Sequence, residues 1–322
     1  MHSAHRFAVA ALAAAGSLCF THDGSAATEN VNGIEWTYTI ANGSVTLGGG
    51  TSSTPAIPSS ASGVVAIPSE LGGAPVTSIG SYAFSGCSDV TSFNIPDSVT
   101  SIGQYAFQNC AGLTAVEVPE SVQAIGYNAF GGCPNLHAMT LPFVGYIRGN
   151  KGDWGDNFGH IFGNASGSGN GLASVRQSYY YNNDKNTSHT DYFIPTNLVS
   201  VTITDETELR PYAFQNCTML KDIRINAGVT NLGSYAFSGS GITNLTTVLP
   251  GAVKSIGSYA FENCKGLKEL PITDGVVDIG EYAFSGCSNA RSVTFPASVK
   301  RIWNYAFKNC VGFSSFEAPD TI

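Results

Sequence analysis

Seven cysteines recur at one relative position in the chain: Cys87, Cys110, Cys133, Cys217, Cys264, Cys287 and Cys310. Thiols at fixed spacing can form disulfides, ligate zinc or serve as nucleophiles. Zinc is disfavoured because no Cys-x-x-Cys pair occurs. Disulfides between stacked units are sterically open, since strand spacing of about 5 Å lies within disulfide reach. Yet the number is odd once Cys19, in the apolar N-terminal run, is set aside, and Ser240 fills the same place in one unit. A position that takes Cys or Ser wants a small side chain with a weak donor beside free carbonyls. The expectation is a structural ladder of buried thiols.

Other reactive side chains are thinly spread. Beyond the first thirty residues the only histidines are His137, His160 and His189. No nucleophile elbow, His-Glu-x-x-His, phosphate loop or dinucleotide fingerprint occurs. Asn182, Asp184, Asn186 and Ser188 have the spacing of a calcium loop. Thr187 and Phe193, however, replace its glycine and final glutamate. Asp205 and Glu206 read as an exposed turn. No enzyme, cofactor or metal is expected; a hydrolase built on His160 and His189 is the least favoured alternative.

Composition agrees. Charged residues make up 12% of the chain, and its net charge is −8. Nucleic acid and anionic membranes both call for clustered Lys and Arg, so neither is an expected partner. The 37 glycines and 43% hydrophobic residues indicate a packed, turn-rich fold rather than disorder or a helical bundle.

The cysteines are one column of a repeat. VTSIGSYAFSGC (76–87) returns as VTSIGQYAFQNC (99–110), VQAIGYNAFGGC (122–133), VKSIGSYAFENC (253–264), VVDIGEYAFSGC (276–287) and VKRIWNYAFKNC (299–310). Its phenylalanines are Phe84, Phe107 and Phe130, then Phe214, Phe237, Phe261, Phe284 and Phe307. The steps are 23, with one of 24 and a gap of 84. In one unit, Leu113 to Val118 alternates like a strand, and Pro119 ends its ladder. Val122, Ile125 and Phe130 then turn inward, with Gly126 at a bend before a short helical turn. One unit cannot bury its own apolar face, so units must stack. The expected fold is a right-handed leucine-rich-repeat solenoid. It has a parallel sheet on one face and short helical turns opposite.

The unit Ile95-Pro96-Asp97-Ser98-Val99, Ile102-Gly103, Ala106-Phe107, Cys110 and Leu113 resembles the BspA-like leucine-rich repeats of bacterial surface and secreted proteins. The resemblance covers roughly 64–322. It implies surface display and binding of host or neighbouring-cell macromolecules.

Five regions follow. Residues 1–27 read as a signal peptide: Arg6, an apolar run from Phe7 to Phe20, then Ser25-Ala26-Ala27. The run is too short to span a bilayer, and no second one suggests a transmembrane segment. Residues 28–63 read as an N-terminal β-hairpin cap turning at Asn42-Gly43. Repeats fill 64–142 and 198–322; the array ends at Ile322 without a cap, which suggests a fragment of a longer protein. Residues 143–197 read as a degenerate coil with Ile161-Phe162 in place of Ala-Phe. Its excess is expected as two loops near 145–157 and 164–191, the second mobile. Asn42, Asn164, Asn186, Asn216 and Asn244 head glycosylation triplets that matter only in a glycosylating host.

Binding residues are expected on two surfaces. By alternation, the sheet's outer face presents Asn94, Glu117, Thr140, Thr202, Arg224, Thr246, Glu269, Thr294 and Glu317. The insert adds the aromatics Trp154, Tyr179, Tyr180, Tyr181, Tyr192 and Phe193, a type enriched at hot spots. The tyrosine column Tyr82, Tyr105, Tyr212, Tyr235, Tyr259, Tyr282 and Tyr305 reads as packing. The functional expectation is adhesion or recognition of an extracellular protein or glycan. The alternative is a structural spacer within a larger surface protein.

Overall fold

The computed structural model describes residues 25–149, 157–164, 171–181 and 186–318. Each repeat closes into a coil with a continuous apolar interior. In one coil, Val90, Phe93, Val99, Ile102, Ala106, Phe107, Cys110 and Leu113 are all buried. The strand Asp89–Asn94 supplies the first two, which both face inward although three residues apart because its pairing shifts by one residue after Val90, and the bend and corner supply the rest.

Coils pair through two parallel sheets. The broad sheet has six strands, in spatial order Ser62–Ala66, Asp89–Asn94, Ala115–Glu117, Ala138–Leu141, Ser200–Ile203 and Asp222–Ile225. Ala138–Leu141 pairs directly with Ser200–Ile203, so the insert between them leaves this sheet unbroken. After Asp222–Ile225 it stops, and a separate pair, Glu269–Pro271 with Ser292–Thr294, follows.

The narrow sheet takes two-residue strands after the bends, which begin at a proline such as Pro96 or Pro119 in some coils and at Asn226 or Thr273 in others. Ser101–Ile102 pairs with Ala124–Ile125. Beyond the insert, Asn231–Leu232, Ser255–Ile256, Asp278–Ile279 and Arg301–Ile302 continue the pattern. The glycine that follows lets backbones touch: a Cβ on Gly126 would lie 2.4 Å from the amide nitrogen of Gln104. Arg210 takes that place at the restart of the narrow sheet, where Leu209 bridges only to Leu232. Nothing in the structure explains Trp303 at the same place.

The helical turns expected opposite the broad sheet are realised as tight turns. At each corner tyrosine the backbone is left-handed, with φ of 62° at Tyr82 and 60° at Tyr259. A helix cannot continue through that conformation. Corner amides bond instead to the next coil, as from Phe107 N to Ala129 O at 2.8 Å and Phe261 N to Ala283 O at 2.7 Å. The phenylalanines stack inside, 5.1 Å apart from Phe107 to Phe130 and from Phe261 to Phe284. The tyrosines stack outside, 4.6 Å apart from Tyr235 to Tyr259.

At the N-terminal side, Ala27–Val31, Ile34–Ala41 and Ser44–Leu47 form an antiparallel ribbon. Its last strand joins the narrow sheet in parallel beside Ala74–Ile79. Trp36 meets Phe84 edge-on at 6.2 Å.

The insert differs from expectation in two ways. Phe158–Ile161 forms the one helical turn among the described residues, a 3-10 turn that stacks as a corner. Phe130 N donates to Ile161 O, and Phe158 N to Ala213 O. It is thus Phe158, and not Phe162, that meets Phe214, at 5.1 Å. The span expected as a loop near 164–191 contains a hairpin, Leu172–Tyr181 with Asn186–Pro195. Its alternating Val175 and Gln177 are buried, which gives those strands an inward face.

Candidate functional site: the outer face of the broad sheet

Strand pairing sets side chains into rows. Asn94, Glu117, Thr140, Thr202 and Arg224 are mutual register partners across five strands. Two residues earlier on the same face, Ala115, Ala138, Ser200 and Asp222 form a second row. Their inward neighbours Val116, Met139, Val201 and Ile223 are buried. The sequence therefore presents a flat, small, hydroxyl-rich face with a rigid apolar backing.

A recess of about 780 Å³ opens over this face and is lined by Asn94, Asp97, Glu117, Glu120, Thr140 and Thr204, among others. Its rim is fixed by Arg148. That guanidinium bonds the Asp205 carboxylate and the carbonyls of Glu120 and Val122. Glu206 accepts from Val144 N at 3.0 Å, and burial raises its carboxyl above the usual range.

Other expected positions fall elsewhere. Glu269 pairs with Ser292, so it stands in the second row and in the separate two-stranded sheet. Pro271 and Thr294 hold the first-row places there. In the coil between, Ile225 N donates to Thr247 O, so Thr247 and not Thr246 continues the row. Thr246 instead donates to the Asn244 side chain.

Among the described residues, no member of the expected aromatic cluster lines the recess. Tyr192 is 1% exposed, its ring packed on the Gly159 backbone, and burial pushes its phenol up to about 12. A side chain so enclosed is core, which corrects its expected place at a binding surface. Tyr179 is half-buried and pairs with Ser188. Trp154 and the side chains of Tyr180, Tyr181 and Asn186 lie outside the described residues, as do Asn182 and Asp184. The hairpin is anchored on the corner turns: Asn216 Nδ2 donates to Arg176 O, and Ser178 N to Gln215 Oε1. Gln177, which sequence reasoning missed, is buried. Its Oε1 accepts from Gly159 N at 2.7 Å, and its Nε2 reaches Gln215 O at 3.0 Å and Cys217 Sγ at 3.4 Å. The available signal was a polar residue at an inward position of an alternating strand.

The seven cysteines are free and buried. Cys110, Cys133, Cys287 and Cys310 each donate to a carbonyl of the preceding coil at 3.2 Å, and Cys264 does so at 3.0 Å. Burial pushes Cys87 and Cys264 up to about 12 and Cys310 to about 11. Protonated, enclosed thiols are poor nucleophiles and poor ligands. His160 is buried too, and burial lowers it to about 4. Among the described residues no group of three or more His, Cys, Asp or Glu could hold a metal, and no helix is long and apolar enough to cross a membrane.

A family model described as "BspA type Leucine rich repeat region" matches residues 73–148 and 186–314 in six copies. The leucine-rich repeat protein TpLRR of T. pallidum is 18% identical, with 80% of this chain and 78% of that one covered and a TM-score of 0.32. A leucine-rich repeat protein from Bacteroides ovatus is 22% identical over 90% and 82%, with a TM-score of 0.30. The pneumococcal vaccine antigen PcpA is 17% identical over 94% and 93%, with a TM-score of 0.33. A comparison with curated proteins finds no match.

Proposed function

Since this chain belongs to the BspA-type leucine-rich repeat family, we propose that it is a non-catalytic recognition module. It acts at the cell surface or after secretion and binds an extracellular protein or glycan. The observation that carries the proposal is the register-locked row Asn94, Glu117, Thr140, Thr202 and Arg224, exposed or half-exposed and backed by a rigid core, with its first three members lining a recess. A broad polar face without reactive groups suits extended macromolecular contact better than turnover of a small substrate. In this scheme residues 1–27 direct export, 28–63 close the first coil, and the insert stiffens the middle of the array.

The test is direct. The mature chain is immobilised and titrated with soluble matrix proteins and with glycans. Saturable binding to at least one ligand is expected, lost when Thr140→Trp fills the face. Absence of saturable binding to any of them overturns the proposal.

A further inference from the structure

Charge on this molecule is unevenly placed. From Phe7 to Ile147 the sequence has no lysine or arginine, and residues 25–147 hold seven carboxylates. Residues 198–318, by contrast, hold ten basic and ten acidic side chains. The recess lies almost wholly against the cation-free coils. Asp97 and Glu120 occupy the same coil position one turn apart, and Glu117 stands in the row beside them. All three are exposed. The next cation after Arg6, Arg148, is already committed to Asp205 and to backbone carbonyls. Unpaired carboxylates over a low-dielectric wall focus a negative potential outward. The floor of Ser92, Ala115 and Ala138 is small enough for a backbone to lie close.

We propose that this recess docks an extended, lysine- or arginine-bearing segment of a protein partner. The inference rests on the recognition role above and supplies the chemistry of the partner. Adjacent strands are about 4.8 Å apart, so cationic side chains at alternate positions of an extended segment, about 6.6 Å apart, can reach carboxylates on neighbouring coils. Anionic glycans are repelled from the same face.

The experiment uses the full chain and two fluorescein-labelled dodecapeptides, one alternating Lys and Ser and the other Glu and Ser. Anisotropy is read at 25 and 300 mM NaCl. Saturable binding of the lysine peptide alone is expected, at least tenfold weaker at the higher salt. The combined variant Asp97→Asn, Glu117→Gln, Glu120→Gln is expected to weaken it about tenfold or more. The matched variant Glu35→Gln, Glu70→Gln, Glu281→Gln is expected to change it less than threefold. Equal binding of both peptides, or lysine-peptide binding indifferent to the first variant, overturns the inference. Matrix-protein binding that survives 300 mM NaCl and the first variant also overturns it, while leaving the recognition role standing.

Discussion

Two departures from the repeat have opposite effects on the broad sheet. Between Leu141 and Ser200 the chain leaves for an entire insert, yet Ala138–Leu141 pairs with Ser200–Ile203 in uninterrupted register. Between Phe237 and Phe261 it gains a single residue, and the broad sheet stops. That coil is one residue shorter at its corner, from buried Ser240 to buried Ile242, where Cys264 to Leu267 takes three. It is two residues longer from Ile242 to Val253 than from Leu267 to Val276. The surplus falls within the strand, where Asn244 caps a turn. A strand has period 2, so a misplaced residue inverts the faces that follow. A long excursion whose ends return to adjacent places costs only loop closure, which grows slowly with length. Where residues enter a coil matters more than how many enter.

The core is where that contrast should vanish. Phe158→Ala beside the insert and Phe261→Ala beside the irregular coil should each cost about 3–5 kcal/mol, because both rings belong to one stack. Chemical denaturation measures this. A loss below about 1 kcal/mol at Phe158 would mean that the stack does not run through the insert.

Acid should act on the insert side through His160. His160 is held near 4 against about 6.5 when unfolded. Above pH 6.5 both states are neutral and the group contributes nothing. As pH falls from 6.5 to 4 the unfolded state takes the proton first. Stability should therefore drop by about 3 kcal/mol across that window. Unfolding curves at pH 7 and pH 4, with His160→Gln as the reference, check the sign; an unchanged difference between the two proteins would refute it.

Gln177 satisfies the corner that no regular coil reaches. Gln177→Ala should cost about 1–3 kcal/mol by leaving the Gly159 amide and the Gln215 carbonyl unpaired. Gln177→Glu should restore less than half of that loss, because it keeps the acceptor and removes the donor.

The smallest effect belongs to the irregular coil. Hydrogen exchange should be about tenfold faster at 244–246 than at 223–225, since only the latter stretch lies in a ladder. Equal protection would show that the strand is present after all.

Much of this was legible in advance. The period, the Phe and Cys columns and the alternation follow from a single aligned unit. In the broad-face row, Asn94, Glu117, Thr140 and Arg224 each stand ten residues after a corner phenylalanine, a spacing visible in the sequence, whereas Thr202, beyond the insert, is placed only by the alternation of its own strand. Thr246 was misplaced because the 24-residue step hides where its surplus goes, while Glu269 keeps the outer face but stands two residues off the row, an offset that alternation alone leaves undefined. Tyr192 looked like a surface aromatic because nothing in a local pattern tells which face of a hairpin will be covered by a corner 20 or more residues away. The left-handed tyrosines were also illegible. That conformation costs a non-glycine residue about 1–2 kcal/mol. It is held by stacking between coils, which a single unit does not display.

The sulfur–carbonyl contacts have a practical meaning. In five places a thiol is hidden by a bond to the coil before it. Each such atom is exposed only when one particular seam parts. The molecule thus carries its own set of positional indicators: a mild alkylating agent followed by peptide mapping would name the seam that breathes, with no label introduced by design.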